Sequence, residues 1–141
     1  MGTILCATRG GEASYRTQDA AIALARERGD RLVFLYVVDT RFLDRTDRAV
    51  RPDVVAEEMA RMGAFLLAMA RERAEARGVQ ADVRIRRGEL RQELVAAAQE
   101  EEADTIVLGH PTRRESAFEL AGLRSLAIAI EEETGIEVRI V

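Results

Sequence analysis

Short apolar runs and amphipathic segments take strict turns along this chain, and that alternation constrains the fold more than any single motif. Thr105-Ile106-Val107-Leu108 is the clearest run: it carries no charge and stops at Gly109, as expected of a strand buried on both faces of a parallel sheet. Thr3 to Thr8 and Leu32 to Val38 have the same character. Ala81 to Arg86 alternates, with Val83 and Ile85 turned inward, which suits a strand nearer an edge, and Ile136 to Val141 alternates in the same way. Helical periodicity fills the gaps. Ala20, Ala21, Leu24 and Ala25 mark a helix over Ala13 to Arg28, and Gly29 stops it. Pro52 suits the first turn of a long helix to about Arg77, with Val54, Val55, Met59, Met62, Leu66 and Met69 as its buried stripe. Leu90, Leu94, Val95 and Ala98 mark a short helix, and Leu126, Ile128 and Ile130 continue the last one to Gly135.

Strand and helix alternating in this way predict right-handed crossovers and a parallel sheet. The fold class is therefore α/β: a single-domain doubly wound sandwich, its five-stranded, mainly parallel sheet carrying helices on both faces. At 141 residues the chain is read as one domain over 1–141.

Charge narrows the partners. With 21 basic and 25 acidic residues the net charge is −4, which argues against nucleic acid, whose binding faces carry basic excess. No apolar run approaches the roughly 20 residues of a membrane span, and no basic segment followed by an apolar block suggests a secretory leader. A single cysteine, Cys6, cannot form an internal disulfide and points to a reducing, cytoplasmic setting. Its place inside a strand reads as a small buried hydrophobe. Lysine and asparagine are both absent, a bias that fits either a thermophile or a GC-rich genome.

In an open α/β sheet, ligands sit outside the carboxyl ends of the strands, where backbone N–H groups and helix N-termini face outward. The segments leaving those ends are Thr8-Arg9-Gly10-Gly11, Val38-Asp39, Gly109 to Arg114, and the stretch from Gly122 to Ser125. Paired glycines at Gly10-Gly11 let backbone approach whatever lies above the sheet. Arg9, Arg113 and Arg114 supply positive charge suited to phosphate or carboxylate. His110 is the only histidine, and no partner for catalysis stands near it in sequence. The arginine-rich segment from Arg41 to Arg51 leaves the second strand where it would fold over the crevice. One His and one Cys without ligand spacing give no metal site.

In order and spacing these pieces resemble the universal stress protein family over essentially the whole chain. The resemblance lies in Ile4-Leu5-Cys6-Ala7-Thr8 with Gly10-Gly11-Glu12-Ala13-Ser14, in Leu35-Tyr36-Val37-Val38-Asp39, in Arg87-Gly88-Glu89, and in Ala103-Asp104-Thr105-Ile106-Val107-Leu108-Gly109. It implies a Rossmann-like, adenine nucleotide alpha hydrolase-like fold. It also implies a ligand site for an adenine nucleotide or another small anion, built from Thr8, Arg9, Gly10, Val38, Asp39, Gly109, His110, Thr112, Arg113, Arg114, Gly122, Leu123 and Ser125. Nucleotide-binding members carry Gly, two residues, Gly, nine residues, Gly, then Ser or Thr. Gly109 and Gly122 match the first and third glycines, and Ser125 a further serine. The second glycine is Thr112, the Ser/Thr is Leu123, and the acidic residue after the first strand is Arg9, so the ATP motif departs at three places.

In Ile136-Glu137-Val138-Arg139-Ile140 apolar and charged residues alternate. Two copies paired antiparallel about Val138 would set Glu137 against Arg139, each such pair contributing roughly 0.2–1 kcal/mol. The resemblance implies the same homodimer. The expectation is a cytoplasmic, homodimeric stress-response binding module without catalytic residues. The alternatives are a slow nucleotide-hydrolysing enzyme on this fold and an interaction module with an empty crevice.

Overall fold

The computed structural model describes residues 2–8, 12–39, 51–109 and 117–141. Within them the elements are β1 (Thr3–Ala7), α1 (Glu12–Arg28), β2 (Arg31–Val38), α2 (Pro52–Glu75), β3 (Ala81–Arg87), α3 (Leu90–Glu100), β4 (Thr105–Leu108), α4 (Ala117–Thr134) and β5 (Glu137–Ile140). The sheet runs in the order β3-β2-β1-β4-β5, and every pairing is parallel. The expected architecture is present, with all five strands parallel.

Side-chain alternation along the strands produces two cores. Ile4, Cys6, Leu32, Phe34 and Tyr36 face one way and pack with Ala21, Ile22 and Ala25 of α1 and Leu67, Ala70 and Ala74 of α2. Leu5, Val33, Leu35, Ile106 and Leu108 face the other way, against Leu94, Val95 and Ala98 of α3 and Ile130 of α4. Cys6 is fully buried, and that burial pushes its thiol up to about 12, so it packs as a small hydrophobe.

α2 presents only in part the face its large residues suggest: Met59 and Leu66 pack against the core and Val55 and Met69 are half-buried, but others point away. Val54 and Met62 are 46% and 62% exposed, and Phe65 is 65% exposed. The sheet is met chiefly by Gly63, Ala70 and Ala74, small residues with helical spacing, together with the fully buried Leu67, and Ala56, Met59, Ala60 and Leu66 pack at the margin. The cause is close approach. A Cβ on Gly63 would overlap the Tyr36 ring, so at that turn the helix lies too near β2 for any side chain. Ile85, expected inward, is also exposed, because β3 is an edge strand with a neighbour on one side only. Ile128 is exposed on α4, two residues out of phase with Leu126 and Ile130.

Charged residues fasten the periphery. Arg31 bridges Asp82 and Glu101, each at 2.8 Å, and Arg86 bridges Glu93 (2.8 Å) and Glu100 (2.6 Å). Thus Glu100 and Glu101, placed unfavourably at a helix carboxyl end, are held by arginines. Asp19 ties α1 to α2 through Arg73 (2.6 Å) and to the turn after α2 through Arg77 (2.7 Å). On β5, Val141 N–H donates to the Leu108 carbonyl (2.9 Å), which turns the backbone groups of Val138 toward the free edge. There the Val138 N–H donates to Glu131 Oε1 at 2.9 Å.

Candidate ligand crevice at the switch point

β1 is shorter at its carboxyl end than the strands beside it. Its register with β2 ends at Ala7↔Leu35, closed by Thr8 N–H donating to the Leu35 carbonyl (2.8 Å), while β2 runs on beside β3 to Val38↔Arg87. On the other side the β1–β4 register ends at Cys6↔Val107, whereas β4 continues with β5 to Leu108↔Ile140. The overhangs leave a notch above Thr8. It lies where the chain order reverses, β2 to one side of β1 and β4 to the other, which is where open α/β sheets bind ligands.

A cavity of about 290 Å³ occupies the β2 side of the notch. Ala7 and Thr8 form its floor, Leu35, Tyr36 and Val37 its strand wall, and Met59 of α2, Leu90 of α3 and Asp39 its rim. Most of the lining is apolar. A larger hollow of about 440 Å³ lies at the opposite end of the sheet, lined by Arg26, Gly29, Asp30, Arg31, Gly78 and Asp82 among others. There Asp30 already accepts from Gly2 N–H (2.9 Å) and Asp82 from Arg31, and the strands begin at that end, so the notch is the candidate site.

The polar groups around the notch have local work. Asp39 Oδ2 accepts from the Leu90 N–H (3.1 Å), capping the first turn of α3 from the end of β2. The Val38 carbonyl accepts from the Gly88 N–H (3.1 Å). Gly109 ends β4 directly beside α1: a Cβ there would lie 2.7 Å from Thr17 Oγ1, so glycine permits that contact. Next to Thr17, the buried Gln18 donates from Nε2 to Thr8 Oγ1 (3.2 Å). Its Oε1 is buried and has no hydrogen-bond partner among the described residues.

Of the residues singled out in the sequence, Thr8 and Asp39 line the cavity, while Val38 ends β2 and Gly109 follows β4 at the same end of the sheet. Gly122, Leu123 and Ser125 lie within α4. Because α4 starts at Ala117, the amides left free by helix geometry belong to its first four residues and not to Gly122 or Leu123. Leu123 packs toward the α3–α4 core, and Gly122 and Ser125 are exposed. Arg9, Gly10, His110, Thr112, Arg113 and Arg114, and the segment Arg41 to Arg48, lie outside the described residues. Thr17, Gln18, Tyr36, Met59 and Leu90 were not anticipated at the site. The first two carried a signal: they stand four residues before Ala21 and Ile22, so polar side chains occupy core-facing positions of α1. Among the described residues no three His, Cys, Asp or Glu side chains are placed to hold a metal, and no helix is long and apolar enough to cross a membrane.

The profile of the universal stress protein family matches residues 1–127. The chain belongs to that family. Its solved relatives agree in fold. A family protein from Burkholderia pseudomallei is 25% identical, with 99% of this chain and 95% of that one covered and a TM-score of 0.76. A universal stress protein solved in complex with cAMP is 26% identical, over 99% and 96% of the two chains, with a TM-score of 0.73. The universal stress protein UspA from Lactobacillus plantarum is 18% identical and has a TM-score of 0.78 over 99% and 97%. No curated protein gives a match.

Proposed function

We propose that this family member is a regulatory binding module for an adenine nucleotide with few phosphates, such as AMP or cAMP, and that it performs no turnover. The observation that carries the reading is the apolar cavity in the notch. Its volume and apolar lining suit a planar base held against β2, with Tyr36, Met59 and Leu90 among the residues around it. A relative 26% identical was solved with cAMP, which supports the same ligand class. The triphosphate cradle finds less support: Thr112 and Leu123 replace a glycine and a hydroxyl residue, and Gly122 sits inside a helix where its amide is spent. Monophosphates need less of that cradle. The proposal includes a cytoplasmic homodimer through Ile136, Glu137, Val138, Arg139 and Ile140, which would cover the free edge of β5.

Calorimetric titration with AMP, cAMP and ATP, with and without Mg²⁺, tests the reading. Micromolar binding of AMP or cAMP, about −8 kcal/mol, is expected, with ATP weaker and no phosphate released. Absence of binding by all three would reject it. A second reading, a protein-interaction module, is favoured by the exposed Val54, Met62 and Phe65 on α2, which stand on the side of the helix away from the sheet.

A further inference from the structure

Polar side chains in a protein core are almost always paired, and the exceptions call for a reason. Gln18 is such an exception. It is 2% exposed, on the face of α1 that otherwise contributes Ala21, Ile22 and Ala25 to the core. Its amide nitrogen donates to Thr8 Oγ1 at 3.2 Å, and its carbonyl oxygen has no partner among the described residues. Thr8 is itself buried and forms part of the cavity floor. A hydroxyl that accepts one hydrogen bond keeps its own hydrogen to donate. Thr8 therefore has one O–H donor on the cavity floor, and the Gln18 amide that bonds it holds a buried C=O acceptor behind that floor, outside the cavity lining.

That combination has a chemical complement. A ligand hydroxyl accepts from one group and donates to the other. A phosphate oxygen, acceptor only, would face the Gln18 carbonyl unfavourably. An apolar core residue at position 18 would have served packing alone, as Ile22 does one turn later. We infer that Gln18, acting with Thr8, is a specificity-determining residue that reads a sugar hydroxyl of the ligand in the switch-point notch. The base lies in the apolar cavity, the sugar above Thr8, and the phosphate away from the Gln18 carbonyl. Reaching the carbonyl takes a local shift at the start of α1, and the new bond satisfies a buried acceptor that has no partner among the described residues. This inference rests on the nucleotide reading above.

The test compares AMP with its 2′-deoxy and 3′-deoxy analogues by calorimetry, in the wild type, in Gln18→Met and in Thr8→Val. The wild type should bind AMP about three- to tenfold more tightly than one of the two analogues, the range expected for one hydrogen bond. Both substitutions should weaken AMP and bring that ratio to about one while leaving the affinity for the analogue unchanged. A ratio retained in Gln18→Met, or no discrimination in the wild type, would overturn the inference and leave nucleotide binding standing. Failure of the wild type to bind AMP and both analogues would defeat the nucleotide reading and this inference with it. Thermal unfolding of the Gln18→Met/Thr8→Val double variant adds a readout free of ligand. Replacing both polar partners by apolar groups of similar shape should leave Tm unchanged or raise it. A fall of several degrees would show that Gln18 is satisfied in the free protein, against the inference.

Discussion

Replacing Gly63 by alanine sets two effects against each other at one position. In a helix interior the change ordinarily stabilises by about 1 kcal/mol, because alanine is the better helix former. Here the added Cβ would run into the Tyr36 ring, meeting Cδ1 and standing 2.8 Å from both Cε1 and Cγ. Three atoms of a rigid ring are involved, and no flexible chain end can swing aside. Tyr36 is fixed in turn by β2, which is paired on both sides. Overpacking of this kind costs about 1–3 kcal/mol, and a clash with a ring belongs in the upper part of that range. The net expectation is a loss of about 1–2 kcal/mol. In a domain of this length each kcal/mol moves Tm by about 2–4 °C, so calorimetric unfolding should show a drop of a few degrees.

A double-mutant cycle isolates the contact. In a Tyr36→Val background the ring is gone, and Gly63→Ala should become stabilising by about 1 kcal/mol. The coupling between the two positions is then about 2–3 kcal/mol, at the upper end for residues in contact. Because Tyr36 also walls the cavity, Gly63→Ala should weaken AMP binding in the same preparation. If Gly63→Ala proved more stable than the wild type, the close approach of α2 to β2 would be refuted, together with the account of why α2 turns small residues to the sheet.

Burial pushes Cys6 from its usual 9.0 up to about 12, so the folded state holds the thiol proton while the unfolded chain releases it above pH 9. Its contribution is complete below pH 9 and should fall by about 1.4 kcal/mol per pH unit toward pH 12, a loss that Cys6→Ala removes from urea titrations. Burial acts to raise the Asp19 pKa, but the hydrogen bonds and charges of Arg73 and Arg77 outweigh it and leave the carboxyl below its usual 3.8. Asp19 therefore stabilises above the unfolded value and loses that contribution as pH falls through the folded one. In thermal scans, Asp19→Asn should lower Tm modestly at pH 7 and flatten its decline below about pH 4. Pairing of two β5 strands about Val138 has to displace the Glu131 carboxylate from the Val138 N–H, so Glu131→Ala should shift sedimentation toward the dimer. Val138→Pro, which lacks that N–H, should give a monomer; an unchanged dimer would exclude this interface.

The fold was legible because each strand announces itself by burial. Thr105 to Leu108 carries no charge, is buried throughout and sits between two strands, whereas Ala81 to Arg87 alternates and sits at an edge. The face of α2 was legible only in part: hydrophobic periodicity follows large residues and finds Met59 and Leu66, which pack on the core, but it misses the closest approach to β2, made at Gly63. Gly109 illustrates a related limit. Its place in a phosphate-binding pattern could be read from spacing, but its contact with Thr17 depends on how α1 lies against β4. Likewise Asp39 is recognisable as the residue closing β2, while its service to the first turn of α3, 51 residues away, appears only once β3 has brought the chain back.

The two ends of the sheet differ in how their polar groups are settled, and the difference bears on function. Where the strands begin, Gly2 N–H is held by Asp30, Arg31 N–H by the Gly2 carbonyl, Asp104 N–H by the Thr3 carbonyl, and Arg28 reaches Thr105 Oγ1 at 2.9 Å. These bonds tie β1, β2 and β4 together and leave little for a ligand to improve. Where the strands end, β1 stops short, a cavity opens beside Thr8, and a buried glutamine carbonyl stands without a partner among the described residues. An unpaired buried acceptor costs about 1–3 kcal/mol, and a chain could remove that cost with one apolar substitution. Keeping it makes physical sense if a bound molecule supplies the missing donor, since the same free energy then appears as affinity and as selectivity for ligands that carry a hydroxyl.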